Sequence, residues 1–361
     1  MMRRVERWIF TAGSAQRLAV LRIGLCAVLT LRLTRGIFLD LSGQPDALFE
    51  PRSFMNLLGS QPSYGVVVML QVTGIVAGVC AMIGLYARTT LPVAWGAGVF
   101  LNAMVTSNGK IMHNDVMLLL ALIPLLAAPV SDAWSLDAHR RGTRPASGVR
   151  YGWPVRTAMI AVTGGYFFTG LAKVIHSGPA WFTSDNLRWV LYISSDSQGT
   201  PNDIALFVAD RAWLAHLLAF GALALEVSFP LALIKPRLAM GYAFGAAGLH
   251  AGIWLAMRLD YAVWAATALI VLVDWPAVVA AWRAREMREG AGQGPAPSAN
   301  EPYGGLARNH PLGTGETLTG SVSRRAASTS PLVPGRPGEW PSRSLGSTGA
   351  PAASYGGDPA T

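Results

Sequence analysis

Apolar runs of roughly 20 residues recur along this chain, each bounded by arginines, glycines or short polar turns. A hydrocarbon core about 30 Å thick takes roughly that many helical residues to cross. Helices satisfy their own backbone polar groups in lipid, so a chain repeating this length is expected to form a bundle of membrane helices. Eight runs are legible: 18–39, 64–86, 91–105, 116–128, 155–175, 204–234, 238–257 and 261–281. The first is polar for a span, with Arg22, Arg32 and Arg35. The fourth is short and contains Pro124, and the sixth is long enough to predict tilt or a bend. Composition agrees, with 52% hydrophobic and 14% charged residues. The expected fold is all-α, a polytopic integral membrane helical bundle of about eight transmembrane helices.

The net charge of +9 is mostly loop arginine, which in such a protein reports orientation and not nucleic-acid binding. Arg3, Arg4 and Arg7, then Arg88, then Arg140, Arg141, Arg144 and Arg150, then Lys235 and Arg237, then Arg283, Arg285 and Arg288 fall on one set of alternate loops. The other set is poorer, with Arg52, Lys110, Arg188, Arg211 and Arg258. The positive-inside rule places both termini in the cytoplasm of a cell whose plasma membrane holds the protein. Trp134, Trp153, Trp275 and Trp282 fit the inner boundary, and Trp181, Trp189, Trp254 and Trp264 the outer one. Residues 1–16 read as a cytoplasmic N-terminal segment without a signal-peptide pattern. Residues 17–285 read as the membrane domain. Residues 286–361, rich in Gly, Pro and Ser, have too few large apolar side chains to build a core and are expected to be disordered. Residues 180–195 mix Trp181, Trp189 and Tyr192 with Asp185, Asn186 and Arg188, the pattern of a short outer interfacial helix capped by Ser184 or Asp185 and able to cover a site below.

Only three of the 29 basic side chains are lysine, and one of them, Lys173, lies near the end of an apolar run. An ammonium at membrane depth costs roughly 2.5–3.5 kcal/mol on insertion scales. Lysine can also give up its proton when desolvated, which arginine cannot. Lys173 therefore reads as a base or, on position alone, as a snorkelling lysine at a helix end. The segment Asn108 to Asp115 holds Lys110, His113, Asn114 and Asp115 on the same predicted side, and His250 lies in the outer half of the seventh run. Glu226 lies deeper. It pairs with Arg22 or Arg32 in a structural reading, and orients a histidine in a functional one. Arg32 and Arg35 share a helix face, so they bind an anionic group or pair with Asp40. His113 and Asp115 at i, i+2 do not share a helix face, and Cys26 and Cys80 are isolated in apolar runs, so neither a metal site nor a disulfide framework is expected.

Two stretches resemble a known family. Asn-Gly-Lys-Ile-Met-His-Asn-Asp from Asn108, running on to Asp-Ala-Trp-Ser-Leu-Asp-Ala-His-Arg-Arg141, resembles the horizontally transferred transmembrane (HTTM) domain shared with vitamin K-dependent gamma-glutamyl carboxylases. Tyr-Phe-Phe-Thr-Gly-Leu-Ala-Lys173, followed by Gly-Pro-Ala-Trp181, is similar to the carboxylase segment that holds the base lysine, and Gly-Leu-His250 to a later family helix. The resemblance covers residues 17–281. It implies that Lys173 deprotonates reduced vitamin K or menaquinol. Oxygenation then generates a base strong enough for glutamate carboxylation, with His113 and His250 lining the cavity and Asn114, Asp115, Glu226 and Lys110 supporting them. Two departures bear on the substrate. Carboxylases carry a second lysine where this chain has Ala172, and a large lumenal domain that holds the protein substrate, to which the tail after residue 285 has no likeness.

Three functions follow from this reading. The first is a carboxylase-like enzyme acting on a lipid quinol, with a secreted peptide or protein as coupled substrate. The second is a non-catalytic membrane partner or maturation factor for such a peptide, for which Lys173→Arg would be tolerated. The third is a small-molecule transporter, which the lack of a convincing internal repeat disfavours.

Overall fold

The structure is a computed structural model, and it describes residues 2–109, 113–142, 146–196 and 201–291. Lys110 and the proposed disordered tail beyond residue 291 lie outside the described residues. The described part is mainly helical, with connecting turns and one two-residue antiparallel ladder that pairs β1 (Gly13–Ser14) with β2 (Ser147–Gly148). Its helices in chain order are α1 (Met2–Ile9), α2 (Ala15–Leu33), α3 (Ile37–Ser42), α4 (Tyr64–Ile83), α5 (Ala87–Thr106), α6 (Val116–Leu126), α7 (Leu136–Arg141) and α8 (Val149–Ser177). They continue with α9 (Ala180–Thr183), α10 (Asn186–Asp196), α11 (Asp203–Ala209), α12 (Ala212–Ser228), α13 (Pro236–Met257), α14 (Ala262–Leu272) and α15 (Trp275–Ala291).

Four helices are long and apolar enough to cross a membrane: α4, α8, α12 with the 3-10 turn Phe229–Leu233 that continues it, and α13. The pair α14 and α15, bent by 64° at the break between them, makes a fifth if counted as one span. The described part is thus all-α, with several helices of membrane-spanning length and apolarity. Two of the expected runs are broken. Residues 204–234 are interrupted at Asp210 and Arg211, where α11 ends and α12 begins. Residues 261–281 bend at Val273 and Asp274, and α15 runs on past Glu286, where the composition changes.

α2 explains how a helix with three arginines sits in such a bundle. Leu18, Leu21, Leu25, Leu29 and Leu33 repeat every three or four residues and are almost wholly buried. The helix touches α4, α5, α6, α8 and α14, so its polar groups face protein. At Gly74 of α4 a Cβ would lie 2.9 Å from Leu33 and 2.8 Å from Ala97, so the missing side chain lets three helices meet. Arg22 is fully buried and donates to the carbonyls of Val130 (2.7 Å), Ala133 (3.3 Å) and Trp134 (2.5 Å). It does not meet Glu226, the first partner expected for it.

Hydrogen bonds sort the loops into two ends. At one end Gly13 pairs with Gly148, Arg17 reaches Asp274 (3.3 Å), and the Asp137 carboxylate accepts from the N–H groups of Tyr86 and Ala87. At the other end the Ser107 carbonyl accepts from Glu50 N–H, Asn114 reaches the Asp260 carbonyl (2.6 Å), and Asn202 reaches the Leu255 carbonyl (2.9 Å). That second end carries an ion network. Arg32 grips Asp115 through two bonds (2.5 and 3.1 Å) and reaches Asp260 (3.3 Å), and Arg35 also pairs with Asp260. The alternative expectations, an Arg32–Glu226 pair and an Arg35–Asp40 pair, are replaced by this network. The α13–α14 turn, entered through Arg258 in a left-handed conformation, carries Asp260 back over the end of α2.

Burial opposes ionisation of Asp260. The Arg35 hydrogen bond, the Ala262 N–H and the charges of Arg35 and Arg32 outweigh it, so the carboxyl titrates below its ordinary value of 3.8. Its folded value is depressed, so its contribution to stability is full above 3.8 and is lost as pH falls through the lower folded value. Thermal unfolding in detergent is expected to show an acid loss of Tm that shrinks in Asp260→Asn.

Candidate functional site

The site is assembled from α8, α12 and α13, roofed by α9–α11. Along α8, Tyr166, Thr169 or Gly170, and Lys173 stand at i, i+3, i+4 and i+7, and so share one face. That face meets α12. A Cβ on Gly170 would lie 2.8 Å from Glu226 Cβ and 3.0 Å from the Val227 backbone nitrogen, so a glycine is what lets α8 and α12 approach here. The approach places the Lys173 ammonium 2.6 Å from both carboxylate oxygens of Glu226. The pair is mostly buried, with 21% of the Lys173 side chain and 8% of the Glu226 side chain exposed. On its other side Lys173 lies over the Trp181 ring, 4.9 Å from the centroid. Glu226 thus turns out to be the partner of the lysine.

The roof is the short outer helix expected from residues 180–195, resolved into two pieces with an addition. Ser184 Oγ accepts from the Asn186 N–H (3.4 Å) at the start of α10. Leu191, Ala205, Val208, Ala209 and Ala215 form a small apolar core apart from the main one. α11, read from sequence as part of a span, belongs to this layer. Glu226 consequently stands about four turns into α12, below the roof. Lys173 lies beneath a protein layer and not free at an interface, which disfavours simple snorkelling.

Under the roof is a cavity of about 520 Å³. Lys173, Glu226, His113, His250, Thr169 and Tyr261 are among its polar lining. Leu187, Val190, Val208, Leu218, Ala222 and Ile253 are among its apolar lining. The three side chains read as catalytic, His113, Lys173 and His250, contribute to one cavity wall.

The supporting residues divide. Neither Asn114 nor Asp115 holds a histidine, since Asn114 binds the Asp260 carbonyl and Asp115 binds Arg32. Two tyrosines hold the histidines instead. The Tyr261 hydroxyl is 3.2 Å from His113 Nε2, and the Tyr166 hydroxyl is 2.9 Å from His250 Nε2. Tyr166 is stacked flat on Phe229, with centroids 4.1 Å apart. Trp264 donates to the His113 carbonyl (3.2 Å) and packs edge-on against Tyr166. The heptad spacing from Tyr166 to Lys173 could have revealed Tyr166. Nothing local signals Tyr261, which arrives through the α13–α14 turn. Among the described residues no three His, Cys, Asp or Glu side chains gather as a metal site would require. No protein-family model, curated protein or solved structure matches this chain.

Proposed function

We infer that this protein is a membrane enzyme of the HTTM and gamma-carboxylase kind, using the Lys173–Glu226 pair as an acid–base group on a lipid quinol. The observation that carries the reading is one cavity whose mostly apolar lining includes a largely buried lysine–carboxylate pair and two histidines. The geometry suits an amphiphile. A prenyl or alkyl chain would pack against Leu187, Val190, Leu218 and Ile253, and a ring against Trp181, Lys173 and His250. Bound there, reduced vitamin K or menaquinol would supply the reducing power toward oxygen and the strong base that carboxylation of a peptide glutamate needs.

The chain's own part is proton handling. With Lys173 as ammonium and Glu226 as carboxylate, a substrate hydroxyl gives its proton to a Glu226 oxygen. When the pair instead starts neutral, with its shared proton on Glu226, Lys173 Nζ is the accepting atom. His113 and His250 line the same space. We place the protein in the plasma membrane with about eight crossings and both termini cytoplasmic, so that the cavity faces outward toward a secreted peptide or protein substrate. Loop charge alternation and the two hydrogen-bonded ends support that arrangement.

A second reading, a non-catalytic membrane partner, draws on the ion pairs that tie helices together at the same end. The two readings part on Lys173→Arg, which keeps the charge but not the ability to cycle a proton. Epoxidation of a reduced naphthoquinone is measured with oxygen present. The expected result is a fall of about a hundredfold or more for both Lys173→Ala and Lys173→Arg. No epoxide from well-folded wild type favours the non-catalytic reading, and wild-type turnover in Lys173→Arg removes Lys173 as the base.

A further inference from the structure

His250 is 8% exposed, and its Nδ1 has no hydrogen-bond partner among the described residues. The Trp181 Nε1–H, also shielded from solvent, has none either. Both residues line the cavity. Buried polar groups are rarely left unpaired, so two in one cavity point to a ligand that completes them.

The hydrogen-bond pattern decides what kind of group each presents. Tyr166 is 1% exposed, and His250 Nε2 is the partner the structure gives its hydroxyl. If Nε2 carried the proton, the Tyr166 O–H and the Nδ1 lone pair would both go unmet. If Tyr166 donates to Nε2, only an Nδ1–H is left over. The second arrangement leaves fewer buried groups unpaired. His250 then offers an N–H to the cavity, as Trp181 does. Trp181 is itself fixed by its ring, which faces the Lys173 ammonium.

We propose that Trp181 Nε1–H and His250 Nδ1–H form a pair of donors that receives the oxygen atoms of an amphiphile's headgroup, with Tyr166 as the positioning residue that sets the histidine tautomer. The ligand class is an amphiphile with acceptor oxygens on a flat head and an apolar chain. Its identification with a quinone rests on the function proposed above. The pair favours the oxidised or deprotonated head, which accepts at every oxygen, over a head whose hydroxyls must donate.

The test uses the full chain in nanodiscs with oxidised menaquinone as probe, and reads affinity together with the infrared carbonyl stretch of the bound quinone. Wild type is expected to bind it with the stretch displaced to lower frequency than in lipid alone. Trp181→Phe keeps the ring and removes one donor. It is expected to weaken binding about five- to tenfold and to return part of the displacement. Tyr166→Phe keeps the stacking on Phe229 and frees the histidine tautomer, and it is expected to return part of the displacement as well. A merely structural role would change occupancy and leave the frequency of the bound fraction alone. Affinity within twofold of wild type and a stretch as displaced as in wild type in both variants would overturn the proposal, as would a folded wild type that binds no menaquinone. The outcome is separable from catalysis. Displaced carbonyls without lysine-dependent epoxide leave the donor pair standing and remove the enzyme, and epoxide with undisplaced carbonyls does the reverse.

Discussion

Glu226→Gln is expected to cost the folded protein about 3–5 kcal/mol, because it leaves the Lys173 ammonium buried without its counter-charge. Lys173 Nζ sits 2.6 Å from both carboxylate oxygens, and it also lies over the Trp181 ring, whose attraction is worth roughly 0.5–2 kcal/mol. The same asymmetry predicts a rescue. Replacing both partners by apolar side chains of similar size, Lys173→Met with Glu226→Leu, removes two buried charges together and is expected to restore most of the lost stability. The double variant would then be folded and unable to move a proton. Thermal unfolding of the three variants in one detergent checks the order: wild type and double variant close together, Glu226→Gln well below. A Glu226→Gln protein as stable as wild type would show that water reaches the pair freely.

The second large effect belongs to Gly170. A leucine there must place its Cβ 2.8 Å from Glu226 Cβ and 3.0 Å from the Val227 backbone nitrogen, and backbone cannot swing aside as a side-chain tip can. α8 and α12 would have to separate, at a cost of about 1–3 kcal/mol for such overpacking, and the Lys173–Glu226 contact would lengthen with them. Gly164→Ala is the matched control on the same helix. A Cβ there would meet only the Phe168 ring, at 3.7 Å, and removing a helical glycine is expected to be neutral or to stabilise by about 0.5–1 kcal/mol. Tm and quinone affinity should fall together in Gly170→Leu and hold in Gly164→Ala. Unchanged affinity in a destabilised Gly170→Leu would separate the helix contact from the site.

The helices were legible from sequence because the bilayer imposes a length, and apolar runs of that length stand out in a chain with so few charges. What composition could not show was where a run breaks. Asp210 and Arg211 look like a polar blemish inside residues 204–234, yet there α11 leaves the span to join the roof. That break sets the depth of Glu226, and without it the sequence offers Glu226 the arginines of α2 or a histidine as partner but not Lys173. Arg22 and Arg32 found other partners, backbone carbonyls in one case and Asp115 and Asp260 in the other, that lie far away in sequence. Lys173, His113 and His250, which line one cavity, stand out in the sequence because each is an ionisable group in or beside an apolar run. Tyr166, Tyr261 and the orphaned N–H of Trp181 were not singled out, since a tyrosine or tryptophan near a membrane boundary is ordinary until its neighbours are known.

Epoxide formation from a reduced menaquinone under oxygen, compared between wild type and the Lys173→Met, Glu226→Leu double variant in nanodiscs, tests the central claim most directly. The double variant separates charge chemistry from folding, which a single substitution cannot do. The account predicts epoxide from wild type and background levels from a double variant that unfolds at a similar temperature. Equal epoxide from both, or none from well-folded wild type, would contradict it.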